Sequence, residues 1–90
     1  MKIIRPAIAG TLESSDAMVR VLPSAVRTIE IESVVMAQYG DEIRRAVEEM
    51  LQYMGVNEGE IYVSDRGAID CVLRARMEAA LYRAANEEEG

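Results

Sequence analysis

The fold is decided by the stretch Gly10-Thr11-Leu12-Glu13-Ser14-Ser15-Asp16-Ala17-Met18-Val19-Arg20. We interpret this stretch as a β-hairpin whose tip is formed by the two central serines. With Ser14 and Ser15 as the two loop residues, one face of the hairpin carries three predicted cross-strand pairs. These pairs are Leu12 with Ala17, Gly10 with Val19, and Ile8 with Val21.

The predicted hairpin tip carries two exposed hydroxyls between two acidic residues. Glu13 and Asp16 would lie opposite each other, and like charges in that position normally destabilise a strand pair. Local stability alone therefore does not explain this sequence, and we expect the tip to present a group to other molecules. Glu13 and Asp16 are candidate recognition charges; two carboxylates are too few for a hard cation, so we predict no metal site.

A third strand and a first helix are predicted after the hairpin. Residues Thr28–Glu32 alternate strictly between polar and apolar, as in a strand with one solvated face. An apolar stripe with helical spacing follows, and Gly55 is a suitable residue for its end. The sequence allows two starts, one capped by Asp41 after Gly40 and one capped by Ser33. The stripe consists of Val35, Tyr39, Ile43, Val47, Met50 and Met54.

A fourth strand and a second helix complete the predicted elements. Ile61–Val63 is short and β-rich, and a second helical stripe follows it. Asp65 or Ser64 is available to cap that helix, and Asp70 is favourably placed in its first turn. The second stripe consists of Ile69, Val72, Leu73, Met77, Ala80, Leu81 and Ala84.

The predicted order of elements is βββαβα in a single domain, residues 1–90, with residues 86–90 as a frayed tail. Because three strands alternate in polarity, the sheet should have one solvated face and one face covered by both helices. This is an α+β two-layer sandwich with a four-stranded, mostly antiparallel sheet. If the third and fourth strands are parallel neighbours, the helix between them makes a right-handed crossover.

Composition excludes several classes of function. The chain has a formal net charge of −6, so we expect no nucleic-acid partner. No apolar run is long enough to span a membrane. Cys71 is the only cysteine, and we expect it to be a small buried thiol in a protein of the reducing cytoplasm.

Most catalytic equipment is missing from the sequence. There is no histidine, hence no imidazole to activate a serine or cysteine and no histidine ligand for a transition metal. Neither a phosphate-binding loop nor a dinucleotide fingerprint occurs. Arg74 and Arg76 are candidate phosphate or partner contacts, although rim packing is the simpler interpretation. A prominent serine without a base is better suited to being modified than to attacking a substrate.

Four segments of the chain resemble the citrate lyase acyl carrier protein, the γ subunit of that complex. The resemblance covers nearly the whole chain, and its first and last segments are long. The segments are Pro6-Ala7-x-Ala9; Gly10-Thr11-Leu12-Glu13-Ser14-x-Asp16-x-Met18-x-Arg20; Tyr39-Gly40-Asp41-x-Ile43-Arg44; and Asp65-x-Gly67-Ala68-x-Asp70-Cys71-x-Leu73-Arg74-Ala75-Arg76-x-Glu78-Ala79.

The resemblance implies that Ser14 is the site of a covalent cofactor. In this family a serine carries 2′-(5″-phosphoribosyl)-3′-dephospho-CoA through a phosphodiester, and the thiol of that group holds an acetyl thioester. The implied partners are the α subunit, which exchanges acetyl for citrate, the β subunit, which cleaves the citryl thioester to oxaloacetate, and the transferase that installs the group. The carrier itself catalyses no step. One position departs from the family, since Ser15 stands where relatives have glycine; this adds a second hydroxyl and removes a residue that tolerates positive φ.

Two other interpretations are open from the residues. The nearer one is a carrier for malonate decarboxylase or citramalate lyase, in which only the acyl group differs. The other is a non-catalytic regulatory or ligand-binding module of the small α+β type.

Overall fold

A computed structural model of the chain describes residues 1–85, which form four strands and two helices. The predicted order βββαβα is confirmed, and the predicted tail at residues 86–90 lies outside the described residues. The elements are β1 (Ala7–Gly10), β2 (Ala17–Leu22), β3 (Arg27–Ser33), α1 (Met36–Tyr53), β4 (Gly59–Asp65) and α2 (Asp70–Ala85).

The four strands form one mixed sheet in the order β1-β2-β4-β3. β2 pairs antiparallel with β1 and with β4, whereas β3 and β4 run parallel. A parallel pair needs a long connection between its strands, and α1 provides it. The mostly antiparallel sheet of the predicted α+β sandwich is confirmed, and the strand order is new information from the tertiary structure.

Both helices pack on one face of the sheet, and the core lies between the two layers. Alternate residues of β4 are buried, and those of β2 are buried beside them. Fully burying one large aliphatic side chain stabilises the folded state by about 1.5–3 kcal/mol. The core between the sheet and the helices therefore supplies most of the free energy that favours folding. Its largest fully buried apolar side chains are Val19, Val21, Val47, Leu51, Val56, Ile61, Val63, Met77 and Leu81.

The predicted register of the first hairpin is wrong by one residue. The structure pairs Gly10 with Met18 and Ala9 with Val19, so Ala9 faces the core while Ile8 and Leu12 are about half exposed. A shift of one residue turns every side chain to the other face. Helix α2 packs directly against β1, and the small alanines at positions 7 and 9 let it approach where larger side chains would keep it away.

Helix α1 follows the longer of the two predicted paths and runs through Gly40. No side chain caps its first turn; Val35 is the N-cap residue, and its N–H donates to the Ser33 hydroxyl at 3.0 Å. At the other end Gly55 has φ 69°, and two backbone bonds from Gly55 and Val56 reach back into the last turn. This is a Schellman motif, and it confirms Gly55 as the end of the helix.

The second helix does not begin where its predicted cap lies. Helix α2 starts at Asp70, whereas Asp65 is the last residue of β4 and is buried. The Asp65 carboxylate accepts hydrogen bonds from the Ser33 hydroxyl at 2.7 Å and from the N–H groups of Gly67 and Ala68 at 3.1 and 3.0 Å. It therefore organises the loop between β4 and α2 instead of capping the helix.

Three residues predicted to be buried are exposed. Cys71 lies at the second position of α2, on the side of the helix away from the core, and its thiol is exposed. Tyr39 and Ile69 are 54% and 67% exposed. Each stands in the first turn of a helix or just before it.

Asp65→Ala is expected to destabilise the fold by about 3 kcal/mol, because it leaves the partly buried Ser33 hydroxyl and two N–H groups without their acceptor. Urea unfolding followed by circular dichroism measures the change. The exposed variant Glu32→Ala is the control and should stay within about 0.5 kcal/mol of the wild type. Equal effects of the two variants would contradict the role given to Asp65.

Candidate attachment site at the serine turn

The two predicted tip serines lie in a six-residue connection, residues 11–16, which we call the serine turn. It joins the end of β1 at Gly10 to the start of β2 at Ala17, so the predicted two-residue loop is too short. The N–H of Asp16 donates to the carbonyl of Glu13 at 3.1 Å and closes a four-residue turn. Ser14 and Ser15 are the two central residues of that turn and are exposed, as predicted.

Ser15 adopts a backbone conformation that normally belongs to glycine. Its φ is 68°, whereas φ of Ser14 is negative, and this sign pattern is typical of a type II turn. The Ser15 N–H donates to the carbonyl of Arg66 at 2.8 Å, and the Arg66 N–H donates to the carbonyl of Asp16 at 2.9 Å. Two residues of the turn therefore oppose one residue of the neighbouring segment, which defines a G1 β-bulge.

The carboxylate of Asp16 fixes the serine turn to the rest of the protein. It accepts hydrogen bonds from the Thr11 hydroxyl and from the Ala17 N–H, both at 2.7 Å. The guanidinium of Arg76 on α2 donates to both carboxylate oxygens, at 2.9 and 3.0 Å. The Arg76 guanidinium, followed by the Thr11 and Ala17 donors, lowers the pKa of Asp16 well below the ordinary value of 3.8.

These contacts change the interpretation of the charged residues near the turn. Asp16 is turned toward α2 and neutralised there, so the predicted repulsion with Glu13 is relieved, and Glu13 is the exposed acidic residue. Arg76 is a structural partner of Asp16. Arg74, the other predicted phosphate contact, pairs with Asp70 at 2.6 Å and with Glu49 at 2.8 Å.

The pairing of Arg76 with Asp16 is the part of the site that sequence analysis missed. The two residues are 60 positions apart, and neither periodicity nor spacing connects them. The bulge was missed for the same reason, because Arg66 comes from a different part of the chain. The one available signal was the expected glycine at the position of Ser15, since a G1 bulge places glycine there.

The Ser14 hydroxyl is left chemically unengaged by this arrangement. Within residues 1–85 no hydrogen bond involves its Oγ, and the residue is exposed. The chain has no histidine to act as a base beside it. No group of three or more acidic or cysteine side chains that could hold a metal ion forms within the described part of the chain. The site therefore offers an accessible hydroxyl on a rigid support and no catalytic apparatus.

Comparison with known proteins assigns the chain to a family. Residues 4–84 match the family model described as malonate decarboxylase delta subunit (MdcD). The chain is 53% identical over 85 residues to the citrate lyase acyl carrier protein of Cronobacter sakazakii, covering 93% of this chain and 88% of that protein. It is 51% identical over 89 residues to the protein of the same name from an Enterobacter species, covering 98% and 92%.

The chain belongs to the citrate lyase acyl carrier protein family. The resemblance stated from the sequence motifs is thereby confirmed. As a member of this family the chain is an acyl carrier, a non-catalytic subunit of a larger enzyme.

The fold also matches a solved structure. A chain in the crystal structure of a Pseudomonas malonate decarboxylase hetero-tetramer in complex with malonate aligns with a TM-score of 0.76, covering 94% of this chain and 93% of that one. Its sequence identity is 20%, so this likeness concerns the fold of the acyl carrier. Within residues 1–85 no helix has the length and apolar character needed to cross a membrane.

Ser15→Gly is expected to stabilise the carrier by about 0.5–1 kcal/mol. The substitution removes the strain of positive φ from the folded state, and this gain exceeds the cost of the larger conformational entropy that glycine gives the unfolded chain. Thermal unfolding of the unmodified protein measures the change. Ser14→Gly is the matched control; it relieves no strain, so it should be neutral or destabilising. Destabilisation by Ser15→Gly would contradict the bulge geometry.

The pairing of Asp16 makes stability depend on pH in a defined window. Because the Asp16 pKa is lower in the folded chain than the ordinary 3.8, its contribution is complete above that value and is lost as the pH falls through the folded-state pKa. Wild type should therefore be more stable than Asp16→Asn at neutral pH, and the difference should shrink below pH 3.8. Urea midpoints measured from pH 7 to pH 2 test this.

The exposed Glu13→Gln variant is the control for that titration. Its urea midpoint should change with pH as that of the wild type does, because Glu13 is not held by a basic partner within the described residues. A difference between wild type and Asp16→Asn that stays constant down to pH 2 would show that the charge of Asp16 is not what holds the turn.

Proposed function

We propose that this chain is the acyl carrier subunit of citrate lyase and that Ser14 is its attachment residue. The Ser14 Oγ would bear 2′-(5″-phosphoribosyl)-3′-dephospho-CoA through a phosphodiester. The observation that carries this proposal is the exposed, unengaged Ser14 hydroxyl at the corner of a turn whose next two residues, Ser15 and Asp16, are fixed by hydrogen bonds. Family membership adds that such a chain carries an acyl group.

The residues of the serine turn fit a covalent arm of this kind. The backbone on the β2 side of Ser14 is held by the bulge with Arg66 and by the Asp16 carboxylate, so the anchor point is stiff. No hydrogen bond within residues 1–85 competes for the hydroxyl that would form the phosphodiester. When bound, the prosthetic group supplies a thiol on which an acyl group is held as a thioester.

We assign the chemistry of attachment to another protein, because no hydrogen bond within residues 1–85 activates the Ser14 hydroxyl and the chain contains no histidine. Attack of that hydroxyl on phosphorus forms the new P–O bond, breaks the bond from phosphorus to the leaving group of the activated precursor, and releases the serine proton. We propose that the transferase supplies the base that takes this proton. The same reasoning leaves acyl exchange and carbon–carbon cleavage to the α and β subunits of citrate lyase.

A stiff anchor and a flexible arm suit a carrier that serves two active sites. A tethered group reaches effective concentrations of about millimolar when its linker is short and flexible. Because the turn does not bend, the arm always leaves the protein at the same place, and the docking geometry of each catalytic subunit stays constant. We place the complex in the cytoplasm, since a thiol that must remain free for acylation requires a reducing compartment.

The alternatives differ in the acyl group or in the class of protein. The family description and the structural match both name malonate decarboxylase, whose carrier would use the same geometry. Relatives about half identical over nearly the whole chain carry the citrate lyase name, and this favours citrate. Copurification with citrate-specific or malonate-specific subunits distinguishes these two carriers. The third alternative, a regulatory module, would have no reason to be modified, so the intact mass of the chain distinguishes it from both.

Ser14→Ala is expected to abolish modification, because no other residue offers the same hydroxyl at the corner of the turn. The measurement is intact-mass spectrometry of protein made in cells that contain the transferase and the precursor of the prosthetic group. Wild type should gain the mass of one phosphoribosyl-dephospho-CoA group, and Ser14→Ala should gain none.

Ser15→Ala is the matched control in the same experiment. Its hydroxyl is also exposed, yet its backbone N–H is bound in the bulge, so we expect loading to remain at the wild-type level. Full loading of Ser14→Ala, together with loss of loading in Ser15→Ala, would move the attachment to residue 15 and overturn the assignment of Ser14.

A further inference from the structure

The serine turn becomes more negative when the proposed group is attached. Glu13 is an exposed carboxylate on the turn, whereas the charge of Asp16 is already matched by Arg76. A phosphodiester on Ser14 adds a further anion beside Glu13, in a chain whose net charge is −6. Like charges this close repel each other unless a cation lies among them, so the charge of the attached state needs a partner that the unmodified state does not.

Arg76 is not available as that partner. Its guanidinium already donates Nε and one terminal nitrogen to the two oxygens of Asp16. Taking it away from Asp16 would release the turn from α2. Because the charge of Arg76 is already matched by Asp16, we look for a second basic residue close to Ser14 to match the phosphodiester.

Arg66 meets this requirement. Its backbone N–H and carbonyl bind Asp16 and Ser15 in the bulge, so its position relative to the serine turn is fixed. The residue is half-buried, and its guanidinium makes no hydrogen bond or ion pair with any other residue within positions 1–85.

We infer that the guanidinium of Arg66 binds the phosphodiester that joins the prosthetic group to Ser14. The inference rests on the proposed function. A guanidinium has five N–H donors in a planar fork that matches two phosphate oxygens, and such bonds are among the strong ones in proteins. The backbone of Arg66 lies directly opposite Ser15 and Asp16 in the bulge, at the spacing of paired strands, about 4.8 Å, so its side chain begins next to the serine turn.

The pairing would divide the arm into two parts with different mobility. The phosphodiester end is held at the turn by Arg66, and the thiol end remains free to move between active sites. The group thus leaves the carrier in a defined direction although its far end stays flexible. The pairing with Arg66 also keeps the negative charge of the phosphodiester away from Glu13, and this leaves Glu13 free for recognition by a partner protein.

The test compares loaded and unmodified protein by NMR of the arginine Nε–Hε groups. Loading should shift the Arg66 Nε–Hε resonance in the wild type, while the resonance of Arg45, an exposed arginine on α1, should stay in place. The Arg66 resonance is assigned by its absence in Arg66→Gln. That variant is expected to fold, because the bulge uses only the backbone of residue 66.

Thermal unfolding of the same samples gives the second readout. Loading should lower the melting temperature of Arg66→Gln by about 3 °C relative to its unmodified form, since an exposed charge pair has an effect of this size in a domain of 90 residues. Wild type, Arg66→Lys and the control Arg45→Gln should change much less.

The outcomes separate this inference from the proposed function. Intact mass first establishes whether Ser14 is loaded; an unmodified chain in cells with the full machinery overturns both proposals. A loaded chain whose Arg66 resonance does not move, and whose Arg66→Gln variant responds to loading like Arg45→Gln, overturns the inference alone.

Discussion

The Asp16 carboxylate is the interaction on which the site depends. It accepts hydrogen bonds from a side chain of its own loop, from the first N–H of β2 and from a guanidinium on α2. One residue thereby connects the serine turn to the sheet and to the helical layer. Without it, residues 11–16 would be a six-residue loop on the surface, and such loops are normally mobile.

The mixed sheet is what makes this connection possible. β4 lies between β2 and β3, and the pairing of β2 with β4 continues past the end of both strands into the bulge between the serine turn and Arg66. At the same end of β4, Asp65 binds the Ser33 hydroxyl and the loop that leads to α2. Two aspartates, one mostly covered and one buried, thus hold the loops at one end of the sheet.

The proposed attachment at Ser14 needs this combination of a fixed anchor and an unengaged nucleophile. The Ser15 N–H and the Asp16 carboxylate are used for structure, whereas no hydrogen bond within residues 1–85 involves the Ser14 hydroxyl. The chain has no histidine to make that hydroxyl reactive on its own. Such a serine can receive a group through the action of a separate enzyme but does not attack substrates unaided. The bulge hydrogen bonds hold Ser15 in its strained conformation and keep the turn in the form that exposes Ser14.

The sequence by itself determined the order of elements, the class of the fold, the two helices, the end of α1 at Gly55 and the exposed pair of serines. These depend on local periodicity and on the backbone preferences of single residues, which a sequence displays directly. The motif around Ser14 also identified the family. Only the tertiary structure decided the register of β1, the true role of Asp65, the exposure of Cys71, and the pairing of Asp16 with Arg76. Each of these depends on residues that meet from distant parts of the chain, or on how closely a helix approaches a strand, and packing in three dimensions sets both.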